Sequence, residues 1–351
     1  MEKGPEIRIV GRASAEKKKQ VKKEVEQGFF SQGFFSQAFF RHFESLPPEE
    51  RKRLEKFEYP KSEKEIALIS FANKETSQLM QEAGIEPYNM PVRNFHIVPP
   101  ELYKKVMGNS ETLATSFVTR QGIIFDAQHF RDNPVIFGAA LLHELLHLKA
   151  HLSMEVQEKG DKVKKTLYRH GLTVGTPQEH KYHKYHQHFT GLHEGIVDEA
   201  GKRLFGKLLD CPELAKEKEW LISDEAKEMK KKLAEEKEIP EDDIIWVGKK
   251  GEDDLKVFPY PKQRNVLNYI CAEIQKHFPD QYQRPDDVYK IFLNAHFTGR
   301  LLPVGRLVEK TFGQGSFRLL GNMDVDKQSG VWHLESLKKS RARQMRKTTG
   351  S

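Results

Sequence analysis

The hydrophobic pattern of the chain predicts two neighbouring helices in its central part. Asp132-Asn133-Pro134 is typical of a helix start, with a polar cap followed by proline in the first turn. The segment VIFGAALLHELLHL that follows is apolar on nearly every face, which predicts a buried helix reaching about residue 153. A second helix is predicted at about 191–208. Its apolar positions recur every four residues: Leu192, Ile196, Ala200 and Leu204.

Shorter apolar runs predict strands and further helices around this pair. Ser62 and Glu65 fit a capping box, which opens a helix over about 62–83. Three runs predict strands, the last two joined as a hairpin: 92–98, 115–119 and 122–126. A charged, exposed helix is expected over 213–237 and another hairpin near 244–258, with helices over most of the remaining C-terminal sequence. The expected fold class is therefore α+β, with a small mixed sheet packed on the central helices and a mainly helical C-terminal region.

The chain is expected to divide into five segments, of which the two terminal ones are basic. A Phe-rich stretch with Phe pairs every five residues precedes the central part, and a His-rich polar stretch interrupts it. The segments are a disordered N-terminal segment (1–25), a Phe-rich helical extension (26–61), a core (62–210) with an irregular His-rich insertion (154–190), a mainly helical subdomain (211–336) and a loose basic tail (337–351).

The amino-acid composition limits the classes of protein to which the chain can belong. With 37% hydrophobic and 31% charged residues, the sequence has the balance of a globular protein with a hydrated surface. Its two cysteines match no disulfide scaffold or metal spacing, which favours a reducing compartment. No apolar run is long enough to span a bilayer, and the N-terminus lacks the apolar region of a secretory signal, so a cytoplasmic location is expected. The net charge of +7 allows contact with nucleic acid, but charge in basic tails is a weak indication.

The strongest chemical signal is the sequence HELLH at residues 143–147, which fits the H-E-x-x-H motif. His143 and His147 are four residues apart, so both rings project from one side of the predicted helix and can share one Zn²⁺ ion. Glu144 is turned away from the metal and is placed to hold the metal-bound water as a general base. Three ionisable groups on a buried helix would be costly unless they were paired or bound to a metal.

A catalytic zinc needs a third protein ligand, and the second central helix offers one. In GLHEGIVDEA, Glu194 and Asp198 lie four residues apart beside the apolar face. Gly195 would let this helix approach the first one closely. Other candidates are His193 and a histidine cluster made of His180, His183, His186 and His188. His151 is too far along the helix from His143, and a metzincin would need histidine where Ser153 stands.

These residues resemble the gluzincin group of zinc metallopeptidases, the thermolysin-like clan. Its members carry H-E-x-x-H on one helix and a glutamate ligand on a following helix, often as E-x-x-x-D. The resemblance covers about residues 62–210 and implies a zincin-like core, with Glu194 as the third ligand. It further implies that Asp198 accepts a hydrogen bond that orients a ligand histidine. The strands before the first helix look like the small sheet of this group, whose edge strand pairs with substrate.

The expected function is a zinc-dependent peptidase that hydrolyses peptide bonds through a metal-bound water activated by Glu144. The partner would be a peptide or protein substrate, and the sequence leaves the oligomeric state open. Candidates for stabilising the oxyanion are Tyr182, Tyr185, His186, His188 and His296. The alternative is a non-catalytic zinc-binding regulatory protein with a peptidase-like fold, possibly associated with nucleic acid.

Overall fold

The computed structural model describes residues 4–31, 47–49, 52, 57–108, 112–159, 162–177, 185–249 and 251–349. They form an α+β structure, which confirms the expected fold class. The helices are α1 (Ala15–Ser31), α2 (Glu63–Glu82), α3 (Pro100–Met107), α4 (Ala127–Phe130), α5 (Pro134–Lys149), α6 (Thr190–Leu209), α7 (Ala215–Ile222), α8 (Asp224–Lys237), α9 (Pro261–His277), α10 (Pro285–Thr298), α11 (Leu301–Phe312), α12 (Ser316–Gly321) and α13 (Lys327–Thr349).

The strands form three small sheets. They are β1 (Ile7–Val10), β2 (Phe95–Val98), β3 (Ala114–Phe117), β4 (Gly122–Asp126), β5 (Leu152–Lys159), β6 (Lys162–His170), β7 (Thr173–Pro177), β8 (Tyr185–His188), β9 (Ile244–Gly248) and β10 (Gly251–Val257). The first sheet has the order β2-β4-β3, with β2 parallel and β3 antiparallel to β4. The second has the order β1-β5-β6-β7-β8, and β9 pairs with β10 as the expected hairpin.

Helix α5 lies at the centre of the fold. Asn133 caps its start by accepting a hydrogen bond from the backbone of Ile136. The side chains of Leu141, Leu142 and Leu145 are fully buried, as the uniformly apolar sequence predicts. The helix packs against α2, α6 and strand β3, so it is covered from several directions. The helix begins where the sequence predicts, but it ends at Lys149, before the predicted end at about residue 153.

Two glycines allow close helix contacts, one of them in a place that the sequence did not predict. A Cβ on Gly138 of α5 would lie 2.8 Å from Leu208 Cδ1 of α6, so this glycine lets the two central helices approach. A Cβ on Gly195 would lie 3.0 Å from the backbone of Gln263, which belongs to α9. The prediction that Gly195 faces the first helix is therefore wrong, because α6 turns that side toward the C-terminal helices.

The N-terminal segment differs from its prediction. Residues 1–25 were expected to be disordered, yet β1 pairs in parallel with β5 and α1 packs beside it. Val21 and Val25 of α1 are buried with Ile7, whereas Lys19, Lys22 and Lys23 of the same helix are exposed. An apolar repeat of four residues is enough to hold such a helix once a sheet is available. Most of the predicted Phe-rich extension, including residues 32–46, lies outside the described residues.

Three further segments differ from the sequence interpretation. The stretch 154–190 was expected to be irregular, but its described parts form β5 to β8, because alternate residues Leu152, Met154 and Val156 are buried on one face. The tail 337–351 was expected to be loose, but α13 continues to Thr349. The charged helix expected at 213–237 is two helices, divided where Ser223 caps α8. No helix in the described residues is both long and apolar enough to cross a bilayer.

A glycine substitution tests the contact between α6 and α9. Gly195→Ala should destabilise the protein by about 1–3 kcal/mol, because the added methyl group meets the backbone of Gln263 and not a movable side chain. Gly206→Ala on the same helix is the control, since nothing lies within 4 Å of its Cβ position. The control should raise stability by roughly 0.5–1 kcal/mol through helix propensity. Urea unfolding measures both, and equal effects of the two substitutions would contradict the assigned packing.

Candidate metal centre

The two histidines of the HELLH motif face the same side of α5. The Nε2 atoms of His143 and His147 are 3.1 Å apart, one helical turn from each other. His147 is buried with 7% of its surface exposed, whereas His143 is partly exposed. The predicted pairing of these two rings is therefore present, and its geometry follows from the four-residue spacing on a helix.

Glu194 comes to these rings from the beginning of α6. The chain enters that helix through Phe189, which has a left-handed φ of 65°. The N–H groups of Phe189 and Gly191 donate to the carbonyls of Gly321 and Met323, each at 2.8 Å. These bonds give partners to amides at the helix start and fix its position. The loop after α12 thus helps to place the ligand helix, although it lies far away in sequence.

The three side chains form a group that can hold a metal ion. Glu194 Oε2 lies 3.4 Å from His143 Nε2 and 3.3 Å from His147 Nε2. For a tetrahedral zinc with bonds of about 2.0–2.1 Å, neighbouring ligand atoms are about 3.3–3.4 Å apart. The atom Glu194 Oε2 is also buried and makes no well-aligned hydrogen bond with the described residues. The spacing and this buried oxygen both fit a metal ion between the three groups.

The electrostatics of the group favour a ligand carboxylate. Burial alone would raise the pKa of Glu194, but His147 and His143 hold that pKa well below its usual range. Burial would likewise lower the pKa of His143, yet the close Glu194 carboxylate, 3.4 Å away, and the charge of Glu144 raise it to about 9. Glu194 is thus ionised at neutral pH and supplies the negative charge that a divalent cation requires.

A second group of histidines lies behind the first one. His147 Nδ1 is 2.9 Å from His193 Nε2, and the ring of His170 packs against both. These three residues are also close enough to hold a metal ion. However, 2.9 Å is a hydrogen-bond distance and lies further from the ligand spacing on one tetrahedral ion than the 3.1–3.4 Å separations within the first group. Burial lowers the pKa of His193 well below its usual value and that of His170 to about 4, so both rings are neutral at pH 7.

Glu144 and His143 lie between two cavities. The polar cavity, of roughly 250 Å³, is lined by residues 114–116 of strand β3 on one side and by β6 and β7 on the other. The apolar cavity, of roughly 470 Å³, is lined by Phe130, Ile136 and residues of the β9–β10 hairpin. Glu144 borders both cavities and is not one of the three residues whose ligand atoms lie together.

Tyr260 also borders both cavities, and sequence reasoning did not find it. Its ring stacks on His143 at 5.9 Å between centroids and 25° between planes. Burial, with the charges of Glu194 and Glu144, raises the pKa of Tyr260 above its ordinary value, so its hydroxyl keeps its proton. Only Pro261, which starts α9, marks this position in the sequence, and a proline cannot show which site the preceding residue faces.

Asp198 has other partners than the predicted one. Its Oδ2 lies 2.7 Å from Arg264 Nε and accepts a hydrogen bond from the backbone N–H of Tyr260 at 3.2 Å. Arg264 in turn reaches Asp243 at 2.7 Å, and all three charged side chains are buried. The expected hydrogen bond to a ligand histidine is not among these contacts. In this structure Asp198 holds the segment of Tyr260 beside the metal-ligand group.

The remaining candidates do not join the ligand group. His151 lies beyond the end of α5, where its ring approaches Gly299, and His188 is in the edge strand β8. His296 is fully buried and bonded to a backbone carbonyl, so it is not placed to stabilise an oxyanion. The other candidates lie in whole or in their side chains outside the described residues: His180, Tyr182, His183, Tyr185 and His186.

Comparison with known proteins gave no match: we found no protein-family model, curated protein or solved structure that is significantly similar to this chain.

Zinc binding should be tight, with one ion per chain, and should depend on pH. Because the pKa of His143 is about 9 without metal, this ring is protonated at pH 7 and must lose its proton to bind zinc. Affinity should therefore increase by about tenfold per pH unit from pH 7 toward pH 9, with release of about one proton from this ring. Titration calorimetry in buffers of different ionisation enthalpy measures both quantities.

The variant His143→Ala should lose tight zinc binding, and His129→Ala, which changes a partly exposed histidine of α4, is its control. A wild-type affinity that does not change with pH would contradict the raised pKa of His143. Zinc retained in full by His143→Ala would contradict its assignment as a ligand.

Proposed function

We propose that this protein is a zinc-dependent peptidase, with His143, His147 and Glu194 as ligands and Glu144 as the general base. The observation that carries the proposal is the spacing of the three ligand atoms, which fits one tetrahedral ion, next to a carboxylate that borders an open cavity. The arrangement also resembles the gluzincin order of elements: a small sheet, a helix with both histidines, and a later helix with glutamate. A zincin-like core is part of the same proposal.

Zinc, when bound, supplies a Lewis acid that makes water more acidic and polarises a carbonyl group. Glu144 accepts the proton of the attacking water and later donates it to the leaving amine. Its place next to His143 in sequence, but on a different side of the helix, keeps its carboxylate available for this role. One side chain can thus serve as base and then as acid.

Strand β3 supports a peptide as the substrate. It is the edge of its sheet, with β4 on one side, and its residues 114–116 line the polar cavity beside Glu144. An edge strand presents free N–H and C=O groups to which an extended peptide can add as a further strand. The neighbouring apolar cavity can then take a hydrophobic side chain next to the cleaved bond. The backbone groups of β3 would thereby select a substrate in an extended conformation, and the apolar cavity would select a hydrophobic side chain on that substrate.

Tyr260 is the best candidate for stabilising the oxyanion. Its hydroxyl keeps its proton at neutral pH and borders the same cavities as Glu144. A neutral phenol can donate one hydrogen bond to negative charge that develops on the substrate oxygen. The contact between Asp198 and the backbone of Tyr260 fixes the segment that carries it.

Glu144→Gln tests the catalytic part of the proposal. Glutamine has a similar shape but cannot accept the proton of water, so cleavage of a peptide library should fall by about 10²–10⁴-fold. Zinc content and unfolding midpoint should stay unchanged, since Glu144 is not a ligand. Glu101→Gln, an exposed position on α3, is the control. If the wild-type protein binds zinc but cleaves no peptide in the library, the alternative of a non-catalytic zinc protein is favoured.

Tyr260→Phe should lower kcat by about 10²-fold, with little change in KM or zinc affinity, because only an interaction with the transition state is removed. The ring remains and can still stack on His143. Tyr282→Phe, which removes a hydroxyl away from both cavities, should leave kcat unchanged. Steady-state kinetics on a substrate identified from the library measures both variants, and a normal kcat in Tyr260→Phe would exclude this role.

A further inference from the structure

We infer that the apolar cavity beside Glu144 takes an aromatic side chain of the substrate, and that Gly201 is the residue that sets the size of this cavity. The inference rests on the proposed peptidase function and names the class of side chain that the site accepts next to the cleaved bond. Gly201 belongs to α6 and lies on the same side of that helix as Glu194, two turns further along.

The apolar cavity extends from the candidate metal ligands along both central helices. On α5 it is lined by Ala140, one turn before His143, and on α6 it is lined by Gly201, two turns after Glu194. Two helical turns correspond to about 11 Å along the axis. A side chain that enters beside Glu144 can therefore point away from the metal ligands and extend between the helices toward Gly201.

Gly201 leaves a space that the packing of the helices does not require. It is buried, yet a Cβ there would meet no neighbouring atom within 4 Å. Gly195 on the same helix differs, because its Cβ would lie 3.0 Å from the backbone of Gln263. Glycine in the middle of a helix lowers stability relative to alanine, since it loses more conformational freedom on folding. What glycine provides at this position is empty space, and that space belongs to the apolar cavity.

The size of the cavity favours a large side chain. A dry apolar cavity of about 150 Å³ in a protein core already binds benzene, and this cavity has roughly 470 Å³. A small side chain would leave most of this space without contacts, which forfeits dispersion energy. Phe130 and Phe258 lie in the wall, and aromatic rings pack favourably edge to face. A phenol or indole ring is therefore the occupant that the cavity fits best.

Two charged residues border the cavity in addition to His143 and Glu144. Asp198 is buried and already engaged by Arg264 and by the backbone N–H of Tyr260. Lys256 is partly buried in β10 and would attract an acidic side chain. The rest of the wall is mostly apolar, so an aromatic ring buries more apolar surface there than an acidic group does. Acidic residues next to the cut are the outcome that the experiment has to exclude.

The first experiment measures which side chain the site accepts. The zinc-loaded protein cleaves a peptide library, and wild type should prefer Phe, Tyr and Trp over Ala at one position next to the cut by at least about tenfold in kcat/KM. Gly201→Val, which fills the space, should lower the ratio of aromatic to alanine kcat/KM by about 10–100-fold. Gly206→Val is the matched control, because this exposed glycine of α6 also has no atom within 4 Å of its Cβ position. The control should leave the ratio unchanged.

Gly201→Ala keeps the test independent of any folding defect in Gly201→Val. Its methyl group meets no atom, and alanine favours the helix, so the unfolding midpoint should rise. The ratio of aromatic to alanine kcat/KM should fall by about 3–10-fold. An unchanged ratio in both Gly201 variants overturns the inference, and so does a wild-type preference for acidic or small residues on both sides of the cut.

The second experiment measures binding without zinc or catalysis. Indole, the largest aromatic group of a peptide side chain, is titrated into the metal-free protein and followed by calorimetry. Wild type should bind it, and Gly201→Val should weaken binding by at least about tenfold, whereas Gly206→Val should not. No binding, or equal binding by wild type and Gly201→Val, overturns the inference. If indole binding depends on Gly201 but no peptide is cleaved, the proposed peptidase activity fails and the assignment of the cavity stands.

Discussion

The carboxylate of Glu194 between the rings of His143 and His147 is the interaction on which the central structure depends. It joins α5 and α6, whose apolar side chains belong to the main hydrophobic core of the described residues. A buried carboxylate without compensation would cost several kcal/mol, whereas the two imidazoles compensate it here, and a divalent cation bound between the three groups would do so as well. The fold therefore brings the two central helices together in the one arrangement in which these three groups meet.

The group formed by His143, His147 and Glu194 has a cavity on one side and buried histidines on the other. This difference supports a hydrolytic role more than a structural one. A structural zinc site is closed by four protein ligands, whereas in the proposed site three candidate ligands meet beside a cavity. Glu144 and Tyr260 border that cavity without joining the ligand group. The edge strand β3 lies along the same cavity and offers backbone groups to an extended chain.

Buried histidines lie behind the candidate metal ligands, at the end of α5. At the end of α5, His170 Nε2 lies 2.7 Å from the carbonyl oxygen of His147, which also accepts a hydrogen bond from the backbone N–H of Ala150, and His296 Nε2 lies 3.1 Å from the carbonyl oxygen of Leu146. His193 has a different contact, because it meets the ring of His147 and not its backbone. Because burial lowers the pKa values of His170, His193 and His296, these rings surround the end of α5 without adding charge to the core.

The sequence by itself determined the elements whose signals are local. The caps at Ser62 and Asn133, the apolar repeat of α6 and the HELLH spacing each depend on residues within one or two turns, and the structure has the corresponding helices. The motif also indicated a metal group, and Glu194 was selected by resemblance. Only the tertiary structure decided the contacts between distant segments: the pairing of β1 with β5, the place of Tyr260 beside His143, and the contact of Asp198 with Arg264. These contacts depend on how separate elements pack against one another. A local sequence pattern does not specify this packing, because a buried face of one element can pack on several other faces of similar polarity.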